Sequence, residues 1–173
     1  MNGVTLRTAH DNELEALVAI DDDASQLFVR AGLDIDIEQG HPFVVSEKQR
    51  WALAIQRGLA LVAVDRCDTP IGFMVLGYVD GSPYLDQLAV LTGCMQQGIG
   101  SMLIHYAIAW SDHSPLWLTT YAHLPWNKAF YEKHGFVRLR EEECGAQLRA
   151  ILQEQQATLP DPAQRIAMVR HGT

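Results

Sequence analysis

The sequence predicts an α/β protein of the α+β type: a mixed, mostly antiparallel central sheet of about seven strands with helices on both faces. Three observations carry that prediction. Two apolar runs of strand length, LALVAVD and GFMVLGYVD, flank the turn DRCDTPIG and read as a hairpin. Later runs alternate with helical segments, and such strand–helix–strand units imply parallel neighbours. The 173 residues, 48% apolar and 20% charged, have the length and composition of one soluble domain with a real hydrophobic core. No repeat, low-complexity block or long linker divides them, so residues 1–173 are expected to form a single domain.

The elements follow in order. Val4 to Thr8 alternates and reads as a short strand. Asp11 caps a helix with Glu13 in its first turn, where the helix dipole favours an acid, and that helix reaches about Arg30 before Gly32 ends it. Leu33 to Ser46, with Gly40 and His41-Pro42, reads as a loop or an irregular short helix. Glu47 to Arg57 is a second helix, stopped by Gly58. Leu59–Asp65 and Gly72–Asp80 are the hairpin strands, and Gly81-Ser82-Pro83 breaks the chain before a strand over Tyr84–Leu91. Ile99, Met102, Leu103, Tyr106, Ala107 and Trp110 recur at the three- and four-residue steps of one helix face. LWLTTYA is a strand, WNKAFYEKHG a short helix ending at Gly135, and FVRL another strand. Leu148 to Gln156 is helical, and Arg165 to Arg170 closes the chain as a strand.

Several function classes are disfavoured. Net charge is −8 with no Lys/Arg-rich tract, which argues against nucleic acid as the main partner and mildly favours a cationic or neutral one. No apolar run approaches the roughly 18 residues of a membrane span, and the N-terminus lacks the regions of a signal peptide. Cys67, Cys94 and Cys144 are isolated and odd in number, so neither a disulfide framework nor a CxxC metal site is expected. The expected home is the reducing cytoplasm.

The stretch MQQGIGS, Met95 to Ser101, places two glycines at the mouth of the long helix. A Walker phosphate loop needs a lysine after its last glycine, and none follows Gly100. A dinucleotide fingerprint needs a third small residue where Leu103 stands, and an acid at the end of the next strand, which LWLTTYA does not supply. Two readings stay open on these residues alone. One is an anion site of backbone N–H groups from Gln97 to Ser101; the other is a tight strand–helix turn with glycines for packing.

Downstream, WNKAFYEKHGFV supplies Asn127, Tyr131, Gly135 and Phe136, preceded at suitable spacing by Leu88-Ala89-Val90 and the Gly98/Gly100 turn. In this order the residues resemble the GNAT superfamily of acetyl-CoA-dependent N-acetyltransferases. The matching core runs from about Leu59 to Leu139. The segment TTYAHLPWN is similar to that of a bacterial branch with a TT-aromatic-x-x-x-Pro-Trp-Asn pattern. The resemblance implies the GNAT fold and acetyl-CoA as acyl donor, with no metal. It implies that Gln96, Gln97, Gly98, Ile99, Gly100 and Ser101 cradle the pyrophosphate, that Leu88, Ala89 and Val90 run beside the thioester, and that Asn127 meets the pantetheine arm. There are departures. Met95 stands where the family has its first Gln or Arg, and no acid ends LWLTTYA, where some relatives keep a catalytic glutamate.

Acetyl transfer to an amine needs a neutral nitrogen and a proton for the departing thiolate. The resemblance implies Tyr131 as general acid, and the i, i+4 spacing places it on the helix face of Asn127. Asp86, which alternation puts on the face of Tyr84 and Leu88, is the leading base candidate, and His123 is the second. A strand amide near Ala89 or Val90 is the expected carbonyl polariser. The resemblance makes the early helices and their loop the acceptor wall. There Asp21, Asp22, Asp23, Asp34, Asp36 and Glu38, amid Phe28, His41 and Phe43, either attract a cationic amine or form a solvated face. The expected partner is thus a small-molecule or peptide primary amine, with a homodimer left open. The alternative is a non-catalytic acyl-CoA-binding sensor or regulatory protein of the same fold.

Overall fold

The computed structural model describes residues 3–35 and 37–172. Seven strands, β1 (Thr5–Thr8), β2 (Ala60–Val64), β3 (Pro70–Val79), β4 (Ser82–Val90), β5 (Leu116–Tyr121), β6 (Val137–Leu139) and β7 (Arg165–Arg170), form one open mixed sheet. Its order is β1-β2-β3-β4-β5-β7-β6. β4 and β5 pair parallel at Tyr84 and Trp117, while β1–β2, β2–β3, β5–β7 and β6–β7 pair antiparallel. The expected parallel neighbourhood of β5 and β6 is corrected: β7 inserts between them, antiparallel to both. Burial explains the placement. Ile166 to Val169 are all buried, as an interior strand requires, whereas three-residue β6 leaves Val137 and Arg138 exposed, as an edge allows.

Packing divides the residues into two compact units. One runs to Leu76 and takes in Gln87–Tyr106; the other comprises Gly77–Asp86 and the chain from Ala107 onward. In the first, helices α1 (Leu14–Ala24), α2 (Gln26–Arg30) and α3 (Pro42–Gln56) accompany the N-terminal strands. Leu17, Ile20 and Ala24 of α1 and Trp51, Ala54 and Ile55 of α3 meet Val62, Val64, Phe73, Val75 and Ala89. Trp51 stands edge-on to Phe73 with ring centroids 5.2 Å apart.

In the first unit, three helix boundaries differ from expectation. Asp11 does not cap α1; the cap position is Glu13, whose carboxylate is occupied by Arg7 at 2.8 and 2.9 Å and by the His10 N–H at 2.7 Å. The helix expected to reach Arg30 is interrupted at Ser25, whose hydroxyl donates back to the Asp21 carbonyl at 2.8 Å. The second long helix, α3, starts at Pro42 rather than Glu47. Proline's fixed φ suits the first helical position, and His41 Nδ1 accepts from the Phe43 N–H at 3.1 Å.

The second unit carries α5 (Lys128–Lys133) and α6 (Ala146–Thr158), the latter longer at both ends than expected. Leu148, Leu152 and Ile151 of α6 pack on Val79, Tyr84, Trp117 and Ala167. The β3–β4 hairpin turns at Asp80-Gly81, both left-handed at φ 50 and 73, the Asp-Gly pattern of a tight hairpin. The Asp80 carboxylate accepts from the N–H groups of Gln147 at 2.9 Å and Leu148 at 3.0 Å, so a hairpin residue caps α6. Gly145 makes room for it, since a Cβ there would run into the Asp80 carboxylate. The long helix α4 (Ile99–Trp110) buries Ile99, Leu103, Ile104 and Ala107, while Tyr106, expected on the inner face, is 41% exposed.

Candidate functional site

In the first unit, β4 ends in the expected tripeptide, with Leu88 partly buried and Ala89 and Val90 buried. Gly72 on β3 is glycine for a reason visible here. A Cβ on it would lie 3.2 Å from Ile99 Cγ2 and 3.3 Å from the Ala89 carbonyl oxygen, tighter than side chains normally pack. Strand end and helix start are thus drawn together over a residue without a side chain. Past Val90 a short 3-10 turn over Thr92–Cys94 leads into Gln96, Gln97 and Gly98, all exposed. Gln96 and Gly98 are left-handed at φ 62 and 81, and left-handed residues alternating with ordinary ones are the backbone pattern of anion-binding nests. The helical ladder opens with the Met102 N–H to the Gly98 carbonyl at 3.0 Å. At a helix start the leading amides generally lack intrahelical acceptors, and the helix dipole adds positive potential there. A turn of this kind suits an anion. Met95 packs against the first unit's core, so its departure from Gln or Arg adds an apolar contact where the family has a polar one.

The α1 acids separate into three environments. Asp21 accepts a short hydrogen bond from Gln87 Nε2, just before Leu88, and Asp23 accepts from the Thr92 N–H at 2.7 Å, just after Leu91. Two carboxylates of one helix thereby brace the strand end on either side of the tripeptide. Asp22 between them is exposed, as are Asp34 and Glu38; Asp36 lies outside the described residues. Burial pushes the Asp21 carboxyl up to about 6; the Gln87 amide opposes the rise and Asp22 adds to it. Sequence reasoning grouped the three aspartates and missed Gln87. A signal was present, since Asp21 lies four residues after buried Leu17 and three before buried Ala24, on the inner face of the helix.

In the second unit, Asn127 occupies the cap position of α5 with no capping bond from its side chain, so the amide is not spent on its own helix. Tyr131 is partly buried, its ring edge-on to Phe130 at 5.2 Å and to buried Phe136 at 5.7 Å. No hydrogen bond reaches its hydroxyl among the described residues. Burial pushes the phenol up to about 12, with the Arg165 cation opposing and Tyr84 adding to the rise. It is fully protonated at neutral pH. Arg165, which sequence reasoning placed only as a strand end, is the unforeseen member. Its guanidinium lies over the Tyr121 ring at 4.6 Å and donates to Thr119 Oγ1 at 3.1 Å and Gln155 Oε1 at 2.9 Å, while its Nε has no partner among the described residues. Burial pushes this cation down, and Tyr121, Tyr84 and Tyr131 push back. Asp86 is partly buried and already engaged by a neighbour. His123 is held at the surface by Asp161, Nε2 to Oδ2 at 3.3 Å, a structural use for the second base candidate.

Residues 56–138 match the model of the acetyltransferase (GNAT) domain. Solved structures share the fold. The PaiA N-acetyltransferase of Thermoplasma acidophilum in complex with coenzyme A superposes at TM-score 0.67 with 17% identity, covering 97% of this chain and 98% of that one. N-acetylglutamate synthase of Neisseria gonorrhoeae, complexed with coenzyme A and N-acetyl-glutamate, gives TM-score 0.69 at 14% identity, with all of this chain matching 36% of that longer protein. A GNAT-family acetyltransferase of Bacillus cereus gives TM-score 0.65 at 16% identity over 98% of each chain. Residues 56–138 thus match an acetyltransferase (GNAT) domain, and the seven-stranded mixed sheet that contains them has the GNAT fold.

Proposed function

We propose that the chain, acting as one acetyltransferase domain over residues 1–173, moves an acetyl group from acetyl-CoA to a primary amine of a small molecule or peptide. The observation that carries this reading is the turn from Gln96 to Ser101. Left-handed backbone at Gln96 and Gly98, just ahead of the N-terminus of α4, supports a cradle of amides suited to a pyrophosphate. That two proteins of similar fold were solved with coenzyme A supports the same donor here.

Acetyl-CoA supplies the activated acyl group; the remaining work falls to the chain. The Gln97–Ser101 amides hold the pyrophosphate, and the Asn127 amide, free of capping duty, meets the pantetheine arm. Backbone N–H groups at Ala89 and Val90 polarise the thioester carbonyl as it gains negative charge. Tyr131 donates to the departing sulfur. A phenol at about 12 is a weaker acid than a thiol of roughly 8.5, so complete transfer is uphill by ~3.5 units unless the phenolate is stabilised. The Arg165 cation, buried with no carboxylate paired to it among the described residues, opposes that cost.

Thiol release from acetyl-CoA across a panel of alkyl- and peptidyl-amines tests the proposal. Release that depends on the amine is expected. Tight acetyl-CoA binding without release for any amine would make the chain an acyl-CoA-binding sensor instead.

A further inference from the structure

We infer that Asp21 is the proton acceptor for the incoming amine, a carboxylate of α1 fixed by Gln87 beside the Leu88-Ala89-Val90 segment of β4. The inference rests on the acetyl-transfer reading and deepens it by naming a cationic acceptor and the group that discharges it.

The argument begins with what the other acids do. Asp22 faces solvent, Asp23 is consumed by the Thr92 N–H at 2.7 Å, and Asp86 is engaged by a neighbour. Asp21 alone of these is drawn inward with one oxygen in use. Its Oδ1 takes the Gln87 amide, which fixes the rotamer without neutralising the charge. No Lys, Arg or His pairs with Asp21 among the described residues. A carboxylate withdrawn from water without a cation is unfavourable, and such a charge persists where a ligand supplies the counter-ion. A primary ammonium is that counter-ion. The ionisable group bearing on Asp21 is Asp22 of its own helix; β4 faces it with a neutral amide, and no charged group of α2 or α3 contributes. Its carboxyl, raised to about 6 by burial, is ionised at neutral pH yet takes a proton more readily than a solvated aspartate.

The step balances as follows. The acceptor R–NH3+ gives one proton to Asp21 Oδ2, leaving R–NH2 and a neutral carboxylic acid. The nitrogen lone pair forms the N–C bond to the acetyl carbonyl, and the C–S bond breaks with its electron pair on sulfur. The second nitrogen proton makes good the one that the departing thiolate takes up, and Asp21 returns its proton to solvent. Net products are the amide, the free thiol and one proton.

Asp21→Asn tests this, because asparagine keeps an oxygen that accepts from Gln87 and removes the basicity. Two probes are compared: a primary alkylamine, charged at pH 7, and the alkoxyamine of the same alkyl group, neutral at pH 7. The variant is expected to lose about a hundredfold or more in kcat/KM with the alkylamine and at least about tenfold less with the alkoxyamine. The acidic limb of the wild-type alkylamine profile near pH 6 should vanish. Unchanged acetyl-CoA affinity by calorimetry would show that the variant is folded. Equal losses with both probes would reduce Asp21 to a brace for β4, and no loss with either would remove it from the reaction; each overturns the inference. A wild-type chain that acetylates neither probe removes the acetyl-transfer reading, and this inference with it.

Discussion

Tyr131 separates packing from chemistry in a single atom. Its ring is held by Phe130 and Phe136, and its hydroxyl has no protein hydrogen bond among the described residues. Tyr131→Phe should therefore change stability by less than about 1 kcal/mol, the usual worth of a net hydrogen bond. The general-acid role predicts instead a fall of about 10²- to 10⁴-fold in single-turnover acetyl transfer. Rapid-quench measurement on the folded variant checks both. Asp21 makes a different kind of statement, about stability. Its folded carboxyl titrates near 6 against an ordinary value of 3.8, so the native state binds the proton more tightly than the unfolded chain. Stability is then lost as pH rises from about 4 to 6. Asp21→Asn should match the wild type below pH 4 and exceed it above pH 6 by about 1–3 kcal/mol, read from urea melts across that range. Both tyrosine and aspartate stood in plain view in the sequence. What was not legible was the partner of each, Gln87 for one and Arg165 for the other, because a hydrogen bond between α1 and β4, or a cation among tyrosines brought in by β7, depends on tertiary placement.

Among the elements, the strands and the long central helix were readable because their apolar periodicity is strong. Helix ends were not. Glu13 is claimed by Arg7 from the neighbouring strand, which displaced the expected Asp11 cap, and the Pro42 start was hidden in a segment that reads as loop. The cap of α6 comes from Asp80, far away in sequence. Replacing Asp80 by Ala leaves two helix-start amides without their acceptor and should cost about 1–2 kcal/mol in chemical denaturation. An effect within experimental error would mean water satisfies these amides equally well. For the anion turn, Gly100 is the informative position. Gly98 is left-handed, so any side chain there strains the backbone as well as the site. Gly100 lies inside α4, where Gly100→Val is tolerated by the helix but places a branched side chain at its mouth. Acetyl-CoA affinity should fall at least about tenfold by calorimetry, or about 1.4 kcal/mol. Full affinity in the folded variant would move the pyrophosphate elsewhere.

At the scale of the whole molecule, the sheet was anticipated in kind and strand number but not in order. Local pattern shows that RIAMVR is apolar; only packing shows that its four buried residues demand an interior position, and so place β7 between β5 and β6. That insertion also has an electrostatic consequence, because β7 begins with Arg165 and sets its charge among Tyr84, Tyr121 and Tyr131. In the first unit, α1 fixes the β4 strand end through Asp21 and Asp23. Asp21 and Tyr131 are proposed as proton acceptor and proton donor, and the central claim is that the chain carries out acetyl transfer. Mass spectrometry of an alkylamine panel incubated with isotope-labelled acetyl-CoA measures this directly. The labelled acetyl group is expected on an amine with wild-type protein and at least about a hundredfold more slowly with Tyr131→Phe. Bound acetyl-CoA with no labelled amine formed by the wild-type chain would contradict the claim.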